Sequence, residues 1–302
     1  MKTNEFVEYL KRQQFSHSTL KTSERTLGYY EKWLIRERLE AEQITYQDLL
    51  GFIKYCNNKG LSQRTTQHYL NTVRHYYDYL TEAKAIEVNP VLGIEIKGVR
   101  RRMLYHILEP HELHQLYNQY PAETLRDRRN KVMLGLLVYQ GIRTEELSRL
   151  TTKEVMLREG KIDVLGSRKN NGRILQLESH QVMDVYDYTL QVRPELMKME
   201  PKRKTQTKGT TDKLFIAEGG NPPAGGLSNF MTQLMIKVRK INPSVKNAKQ
   251  IRASVITKWV KMYNLRKAQY LAGHRYISTT EDYLQNDMEG LREEIGKFHP
   301  LG

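Results

Sequence analysis

The chain has 302 residues, a net charge of +15 at pH 7 and an isoelectric point near 9.6. This length suffices for two domains with separate cores, and the excess of basic residues indicates an anionic partner, most commonly a nucleic-acid backbone. Because it contains no run of about 18 apolar residues and no signal-peptide core, the sequence argues against a membrane protein and predicts a cytoplasmic one.

Residues 3–83 contain four stretches in which apolar side chains recur at helical spacing. Thr45 and Ser62 precede the third and fourth stretches as N-cap residues, since their hydroxyls can accept from the free amides of a first turn. Tyrosine and leucine recur along the fourth stretch, from Tyr69 to Leu80. We therefore predict a helical bundle with a tyrosine-rich core for the first domain, residues 1–93.

A basic stretch without amphipathic period follows Asn89-Pro90, where proline ends the helical pattern. We interpret residues 94–106 as a linker between two domains that lies against a phosphate backbone; a solvated run of charges is the alternative. Its basic residues are Lys97, Arg100, Arg101 and Arg102.

The most apolar predicted helix spans residues 126–140 and should be the buried centre of the second domain. It leads into Gly141-Ile142-Arg143, after which Thr144 is predicted to cap the next helix. Arg143 would then lie at a corner between two helices, with core on both sides. An arginine that binds an anion in one geometry needs such support.

Two short strands, residues 161–165 and 173–177, are predicted next. The loop between them ends in Asn170-Asn171-Gly172, a hairpin signal, so Arg168 and Lys169 should lie at a mobile tip. A helix over residues 179–196 and a basic insert at 201–211 follow, and another helix ends at Asn242-Pro243.

Lys249 and Arg252 lie three residues apart on the next predicted helix and therefore share a face. His274 follows a glycine turn, and Tyr283 comes nine residues later, on the first turn of a further helix. The sequence contains neither a glycine-rich phosphate loop nor a metal-binding cluster, so we predict no metal or ATP as cofactor.

Three segments in this order, Gly141–Leu147, Lys249–Arg252 and Gly273–Tyr283, resemble the tyrosine recombinase (phage integrase) family. The family pattern is an arginine in a Gly-Leu-Arg-x-x-Glu-Leu box, a lysine on a β-hairpin, a His-x-x-Arg box, a Gly-His and a nucleophilic tyrosine nine residues later. By motif, the resemblance covers roughly residues 107–285.

The resemblance implies a mainly α fold with a small β-hairpin or sheet. An N-terminal SAM-like core-binding domain and a C-terminal α+β catalytic domain, residues 107–302, would form a C-shaped clamp around DNA. The implied partner is double-stranded DNA at specific recombination sites, which predicts a protein associated with the bacterial nucleoid. The residues expected to contact DNA, besides the linker, are Arg64, His68, Arg74 and Arg168.

The resemblance also implies the catalytic residues, which are Arg143, Lys169, Lys249, Arg252, His274 and Tyr283. Lys249 departs from the family, which has a histidine there. A lysine can still donate to a phosphate oxygen but cannot act as a neutral imidazole. Glu146 corresponds to the acidic residue of the first box, and we expect it to hold an arginine in place.

Cleaving a phosphodiester without a metal requires a nucleophile, cationic stabilisation and an acid for the leaving oxygen. Two arginines would stabilise the phosphorane, and their positive field would favour the phenolate of a tyrosine, whose ordinary pKa is about 10. His274 would serve as hydrogen-bond partner or base. The family resemblance implies a 3′-phosphotyrosyl intermediate, formed without ATP, in a recombinase of a mobile element.

Two alternatives remain open: a DNA-binding protein on this fold that has lost catalysis, for which Lys249 is the only hint, and a type IB topoisomerase. The apolar series Leu284, Leu291, Ile295 and Phe298 predicts a terminal helix at residues 285–302. This helix either packs on its own domain or, as the family implies, is donated to a neighbour in a homotetramer on two DNA sites.

Overall fold

The computed structural model describes residues 1–98, 106–201, 207–223 and 226–284. The chain forms two compact units, residues 1–102 and 103–302, each with its own hydrophobic core. The predicted DNA contacts Arg100, Arg101 and Arg102, the predicted terminal helix 285–302 and part of the basic insert lie outside the described residues.

Four α-helices build the described part of the first unit, as the apolar spacing predicts. They are α1 (Thr3–Arg12), α2 (His17–Glu37), α3 (Tyr46–Asn58) and α4 (Gln63–Glu82). Both predicted N-caps are confirmed. The Asp48 amide donates to the Thr45 hydroxyl at 3.3 Å, and the Thr65 amide donates to the Ser62 hydroxyl at 3.2 Å. Side-chain oxygens thus satisfy amides that a first helical turn leaves without partners.

Aromatic side chains fill the core of the first unit, as the tyrosine-rich pattern predicts. Tyr30, Tyr77 and Phe52 are fully buried. The Tyr30 and Tyr77 hydroxyls lie 2.9 Å apart, and Tyr77 donates to the Ala41 carbonyl at 2.9 Å. Cys56 is also fully buried here, and burial raises the pKa of its thiol to about 11.

The segment after α4 runs back along that helix. Asn89 Nδ2 donates to Asp78 at 2.7 Å, and Arg74 Nη2 donates to the Ile94 carbonyl at 2.8 Å. Ile94 is buried in the core of the first unit, and Ile96 packs against it. The start of the basic stretch is therefore held on the first unit, and the Arg74 guanidinium is one of the groups that hold it.

The second unit combines helices with one small sheet, which confirms the predicted fold class. Its helices are α5 (Pro110–Asn118), α6 (Leu125–Val138), α7 (Thr144–Arg149), α8 (Ser179–Asp187), α9 (Arg193–Lys198), α10 (Ser228–Ile241), α11 (Ala248–Met262) and α12 (Leu265–Ala272). A further helical turn covers residues 278–284. No helix among the described residues is long and apolar enough to cross a membrane.

The sheet is antiparallel and has the order β1-β2-β3, with β1 (Val155–Met156), β2 (Lys161–Val164) and β3 (Arg173–Gln176). The two predicted hairpin strands are β2 and β3, with Ile162 opposite Leu175. The predicted helix 179–196 is interrupted by a π-helical turn, Tyr188–Val192, between α8 and α9.

Helix α6 is the buried centre of the second unit, as predicted. Its residues from Val132 to Val138 are all buried, and the Arg129 guanidinium is buried with them. Arg129 Nη1 donates to the Ile216 carbonyl at 2.9 Å, and its guanidinium carbon lies 3.5 Å from the centre of the Phe230 ring. This helix delivers the chain to the corner at residues 141–143.

Candidate active site

Arg143 lies at the corner between α6 and α7. The structure makes Arg143 itself the N-cap residue of α7, and Thr144, the predicted cap, is the first helical residue. The Arg143 amide donates to Glu146 Oε2 at 2.9 Å, which fixes this corner. Gly141 allows the turn, because its φ is +53° and an added Cβ would lie only 3.1 Å from Val255 Cγ1.

Glu146 is the buried centre of this region. Its carboxylate accepts from Arg173 Nη1 at 3.0 Å and Nη2 at 2.9 Å, and from Asn170 Nδ2 at 2.6 Å. Burial alone would raise the pKa of Glu146, but the hydrogen bonds and charge of Arg173 outweigh it and lower that pKa. Glu146 holds an arginine in place as expected, and its main partner is Arg173.

The sequence reasoning missed Arg173 and Asn170. Arg173 begins β3 on the strand's buried face, two residues before the buried Leu175, and its side chain is fully buried. A charge at an apolar position of a strand requires a buried partner of opposite sign. A charged residue at an apolar strand position was therefore the signal in the sequence that pointed to Arg173. It does not identify Glu146 as the residue that Arg173 binds.

The Gly273 turn ends α12 directly beside Arg173. Gly273 has a φ of +63°, and an added Cβ would lie 2.5 Å from Arg173 Nη1. Arg173 Nε also donates to the Leu271 carbonyl at 2.8 Å. Only glycine fits this position, both because the backbone is left-handed and because the guanidinium occupies the space.

Arg252 extends from α11 into the same region and is buried. It donates to the carbonyls of Gly141 and Ala272, the latter at 2.6 Å, and Nη2 lies 3.3 Å from His274 Nε2. Burial, helped by the nearby charge of Arg143, lowers the pKa of Arg252 to about 9. Arg252 therefore stays charged at neutral pH. At least three groups contact its guanidinium and fix its orientation.

His274 and Tyr283 lie together next to Arg252. His274 is 3% exposed, and its Nδ1 lies 2.9 Å from the Thr280 hydroxyl. The rings of His274 and Tyr283 stack, with centroids 5.7 Å apart and planes inclined by 21°. Tyr283 is half-buried on helical residues 278–284. The predicted pair is therefore in direct contact.

The loop between β2 and β3 is anchored on the Gly273 turn. The Asn171 amide donates to the Gly273 carbonyl at 3.2 Å, and Arg275 Nη1 donates to the Arg168 carbonyl at 2.9 Å. Asn170 is buried through its bond to Glu146, whereas Lys169 is exposed. Hydrogen bonds therefore anchor the loop at Arg168 and at Asn171, on both sides of Lys169.

The remaining predicted residues lie on the surface. Lys249 is exposed in the first turn of α11, one turn before the buried Arg252. Arg64 and His68 are exposed on α4, Arg74 is half-buried, and Lys97 and Arg168 are exposed. Within the described ranges, no group of three or more His, Cys, Asp or Glu side chains is placed to hold a metal ion.

The site concentrates positive charge around one phenol. In the described part of the site, the guanidinium groups of Arg143 and Arg173 donate to the carboxylate of Glu146, and the charge of Arg252 acts on it as well. Arg173 donates to both oxygens of that carboxylate. Arg143 remains partly exposed. The excess of positive charge suits an anionic ligand such as a phosphodiester.

Two family models match the chain. That of the phage integrase family matches residues 106–290, and that of the phage integrase N-terminal SAM-like domain matches residues 3–84. The tyrosine recombinase XerD of Staphylococcus saprophyticus subsp. saprophyticus is 27% identical over 305 residues, covering 97% of this chain and 97% of that protein. The tyrosine recombinase XerC of Natranaerobius thermophilus is 27% identical over 312 residues, with coverages of 98% and 97%.

Solved structures show the same fold. The XerH site-specific recombinase bound to a palindromic difH substrate superposes with a TM-score of 0.70 at 19% identity, covering 91% of this chain and 78% of that one. The Tn1549 transposon integrase in complex with transposon right-end DNA superposes with a TM-score of 0.66 at 17% identity, with coverages of 97% and 100%.

Proposed function

The chain belongs to the phage integrase family and is a tyrosine-type site-specific recombinase, and we propose that it cleaves and rejoins DNA through a covalent bond to Tyr283. One observation carries this proposal. Tyr283 stacks on His274 beside a buried cluster of guanidinium groups, so a nucleophile, a proton acceptor and anion-binding groups meet at one place.

We assign the steps of strand cleavage to the side chains around Tyr283. Arg143 and Arg252 bind the non-bridging oxygens of the scissile phosphate and stabilise the charge of the phosphorane. The Tyr283 oxygen forms a bond to phosphorus as its proton leaves, with His274 as the adjacent acceptor. Lys169, exposed on its anchored loop, protonates the departing 5′ oxygen, and the product is a 3′-phosphotyrosyl bond.

Lys249 takes the place of the histidine that the family has at this position. On the exposed first turn of α11, its ammonium can donate to a phosphate oxygen as the DNA docks. We therefore assign Lys249 to phosphate binding only, and the proton chemistry falls to His274 and Lys169.

The DNA partner is proposed from the charge of the chain and from its relatives, since solved structures with this fold include recombinases bound to DNA. Residues 1–93 and 107–302 would form the two halves of a clamp joined by the linker at 94–106. Arg64, His68 and Lys97 are exposed and can reach phosphates. We further propose a homotetramer on two recombination sites, assembled through residues 285–302, which serves a mobile element at the bacterial nucleoid.

The test uses DNA that the protein itself selects by binding, nicked near the selected site so that a cleaved end diffuses away. After denaturation in detergent, with EDTA present throughout, we expect protein attached covalently to a 3′ DNA end. Tyr283→Phe should abolish the adduct. Tyr276→Phe is the matched control and should retain it, because Tyr276 is close in the chain but 65% exposed.

Two outcomes would overturn the assignment. An adduct that persists in Tyr283→Phe would place the nucleophile elsewhere. Firm binding by the unaltered protein without an adduct on any selected substrate would identify a DNA-binding protein without cleavage activity, and Lys249→His would then be the next variant.

A further inference from the structure

The tip of the β2–β3 hairpin is a tight turn with Arg168 and Lys169 at its two central positions. The Ser167 amide donates to the Asn170 carbonyl at 2.8 Å, and the Asn170 amide donates back to the Ser167 carbonyl at 3.4 Å. In the two-residue turns that hairpins favour, one or both central residues have a positive φ. Neither Arg168 nor Lys169 has one. The two strands alone therefore do not favour this turn, and side chains are needed to hold it.

The Asn170 side chain supplies such a hold. It is 4% exposed, although its neighbours Lys169 and Asn171 are exposed. Its Nδ2 donates to Glu146 Oε1 at 2.6 Å, and its Oδ1 accepts from the Ser167 hydroxyl. That hydroxyl in turn accepts from the Lys169 amide at 3.2 Å. One carboxamide thus closes the turn with its oxygen and fastens it to a buried charge with its nitrogen, and hydrogen bonds to charged groups are the stronger kind.

The acceptor of this bond also holds the residue that we assign to phosphate binding. Glu146 accepts from the Arg143 amide at 2.9 Å and from Arg143 Nη1 at 3.4 Å. Arg143 and the turn that carries Lys169 are therefore fixed on the same carboxylate, Arg143 directly and Lys169 through Asn170. An error of about 1 Å in the placement of a reacting group can cost 10²-fold in rate. A shared anchor keeps the two groups at a constant separation.

From these contacts we propose that Asn170 is a positioning residue that holds Lys169 in register with the phosphate-binding arginines. The inference rests on the proposed function of Lys169. In the step concerned, the Tyr283 oxygen bonds to phosphorus and the bond from phosphorus to the 5′ oxygen breaks. The Lys169 ammonium gives its proton to that oxygen and becomes a neutral amine. Asn170 transfers no proton and fixes only where the ammonium lies.

Sulfur in place of the bridging 5′ oxygen separates the acid from the rest of the site. A thiol has an ordinary pKa of about 8.5, so a thiolate can leave without receiving a proton, whereas an alkoxide is a far stronger base. Loss or misplacement of the acid should slow cleavage of ordinary DNA and spare DNA with sulfur at that position. Damage to phosphate binding or to the nucleophile should slow both.

The first test measures the anchoring in the DNA-free protein. Backbone hydrogen exchange followed by NMR reports how often the turn opens. Asn170→Ala should speed exchange of the Ser167 amide by at least about tenfold, because a buried hydrogen bond to a charged group is lost. Asn171→Ala is the matched control. It keeps the backbone amide that bonds to Gly273, and the exposed side chain it removes donates to the His274 carbonyl at the long distance of 3.5 Å. Its effect should be no more than about twofold.

The second test compares adduct formation on ordinary DNA and on DNA with sulfur at the scissile phosphate, whose position is mapped from the adduct itself. Lys169→Met removes the acid and gives the reference behaviour. Asn170→Ala should slow the reaction of ordinary DNA by roughly tenfold or more, since a positioned acid typically contributes 10²–10⁴. Both variants should react with the sulfur-substituted DNA at about the wild-type rate, and Asn171→Ala should react normally with both substrates.

The outcomes separate this proposal from the proposed function. Unchanged exchange in Asn170→Ala, an unchanged rate on ordinary DNA, or equal slowing on both substrates would overturn the role of Asn170. If Lys169→Met were equally slow on both substrates, Lys169 would not be the acid and the proposed function would fail at that residue. If the unaltered protein formed no adduct at all, the proposed cleavage would fail. In both cases, hydrogen exchange would still decide whether Asn170 anchors the turn.

Discussion

At the scale of single residues, the site depends on a carboxylate that has no expected contact with the substrate. Glu146 binds Arg173 through both carboxylate oxygens and accepts from Asn170 and from the Arg143 backbone. Removing one partner of a buried ion pair leaves the other charge without compensation, at a cost of about 3–5 kcal/mol. The stability of the second unit should therefore be unusually sensitive to this position.

We expect Glu146→Gln to lower the free energy of unfolding by about 3 kcal/mol at pH 7, because Arg173 stays buried beside a neutral amide. The lowered pKa of Glu146 sets the pH dependence. The stabilisation is complete above the ordinary carboxyl value of about 4.5 and is lost as the pH falls through the lowered folded-state pKa. Urea denaturation of both proteins at pH 7 and in acid measures this difference.

The exposed residue next to Glu146, Glu145, supplies the control for this prediction. Glu145→Gln should change the unfolding free energy by no more than about 0.5 kcal/mol at either pH. A difference between wild type and Glu146→Gln that stayed constant into strong acid would contradict an ionised carboxylate as its source.

Several residues of the site were predictable from the sequence, because they lie within short motifs. Arg143 and His274 follow glycine turns, and local spacing places them. Tyr283 lies on the predicted helix, but in the second turn of helical residues 278–284 and not in the first turn as predicted. Arg173 was not predictable as a partner of Glu146, because the two lie 27 residues apart on different elements. Thr280 was missed for another reason: a threonine in a first helical turn is ordinary until the ring beside it is known.

At the scale of secondary-structure elements, the end of α12 is a junction that both backbone conformation and close packing constrain. Gly273 closes the helix in the left-handed region, and the Arg173 guanidinium lies against its Cα. The same turn binds the β2–β3 loop through its carbonyl. A change at Gly273 would disturb both the loop and the histidine that follows.

We expect Gly273→Ala to lower the unfolding free energy by at least about 1 kcal/mol, because of the positive φ and the displaced guanidinium. Adduct formation should fall with it, since His274 is the next residue. Gly28→Ala is the matched control. Gly28 lies inside α2 with open space around it, so alanine there should stabilise by roughly 0.5–1 kcal/mol. If Gly273→Ala left both the unfolding free energy and adduct formation unchanged, the turn and the Arg173 side chain would be able to accommodate a Cβ atom, and the prediction would be wrong.

The elements that the sequence did not predict have physical explanations. Strand β1 has only two residues, too few for an alternating pattern. The predicted helix 179–196 was interrupted by a π turn because Pro194 lacks an amide and its ring crowds the carbonyl one turn earlier. The longer helices were predicted correctly, since their apolar period extends over several turns.

At the scale of the whole molecule, a net charge of +15 acts on any approaching polyanion. Each phosphate contact releases counterions, so affinity for duplex DNA should fall steeply with salt, with a slope of about −0.9 per contact on logarithmic axes. If α4 faces the duplex, each exposed basic residue on it that contacts a phosphate adds about −0.9 to this slope.

We therefore expect Arg64→Gln to reduce the salt slope by about one unit and to weaken binding to all sequences alike. Fluorescence anisotropy across a salt series measures it. Arg12→Gln is the control, because it removes the same charge from a different surface. Arg12 lines a surface depression together with Glu5, Glu8 and Glu24, and such acidic surroundings do not favour a phosphate contact. An unchanged slope for Arg64→Gln would exclude that residue from the DNA contact.

The burial of Cys56 gives the protein a useful chemical property. It is the single cysteine of the chain, it has no exposed surface, and burial holds the pKa of its thiol near 11. At neutral pH, almost none of it is the reactive thiolate. A cysteine introduced at an exposed position of each unit would therefore react alone with maleimide dyes. Donor and acceptor fluorophores on the two units could then report their separation in the native protein, without any cysteine first being removed.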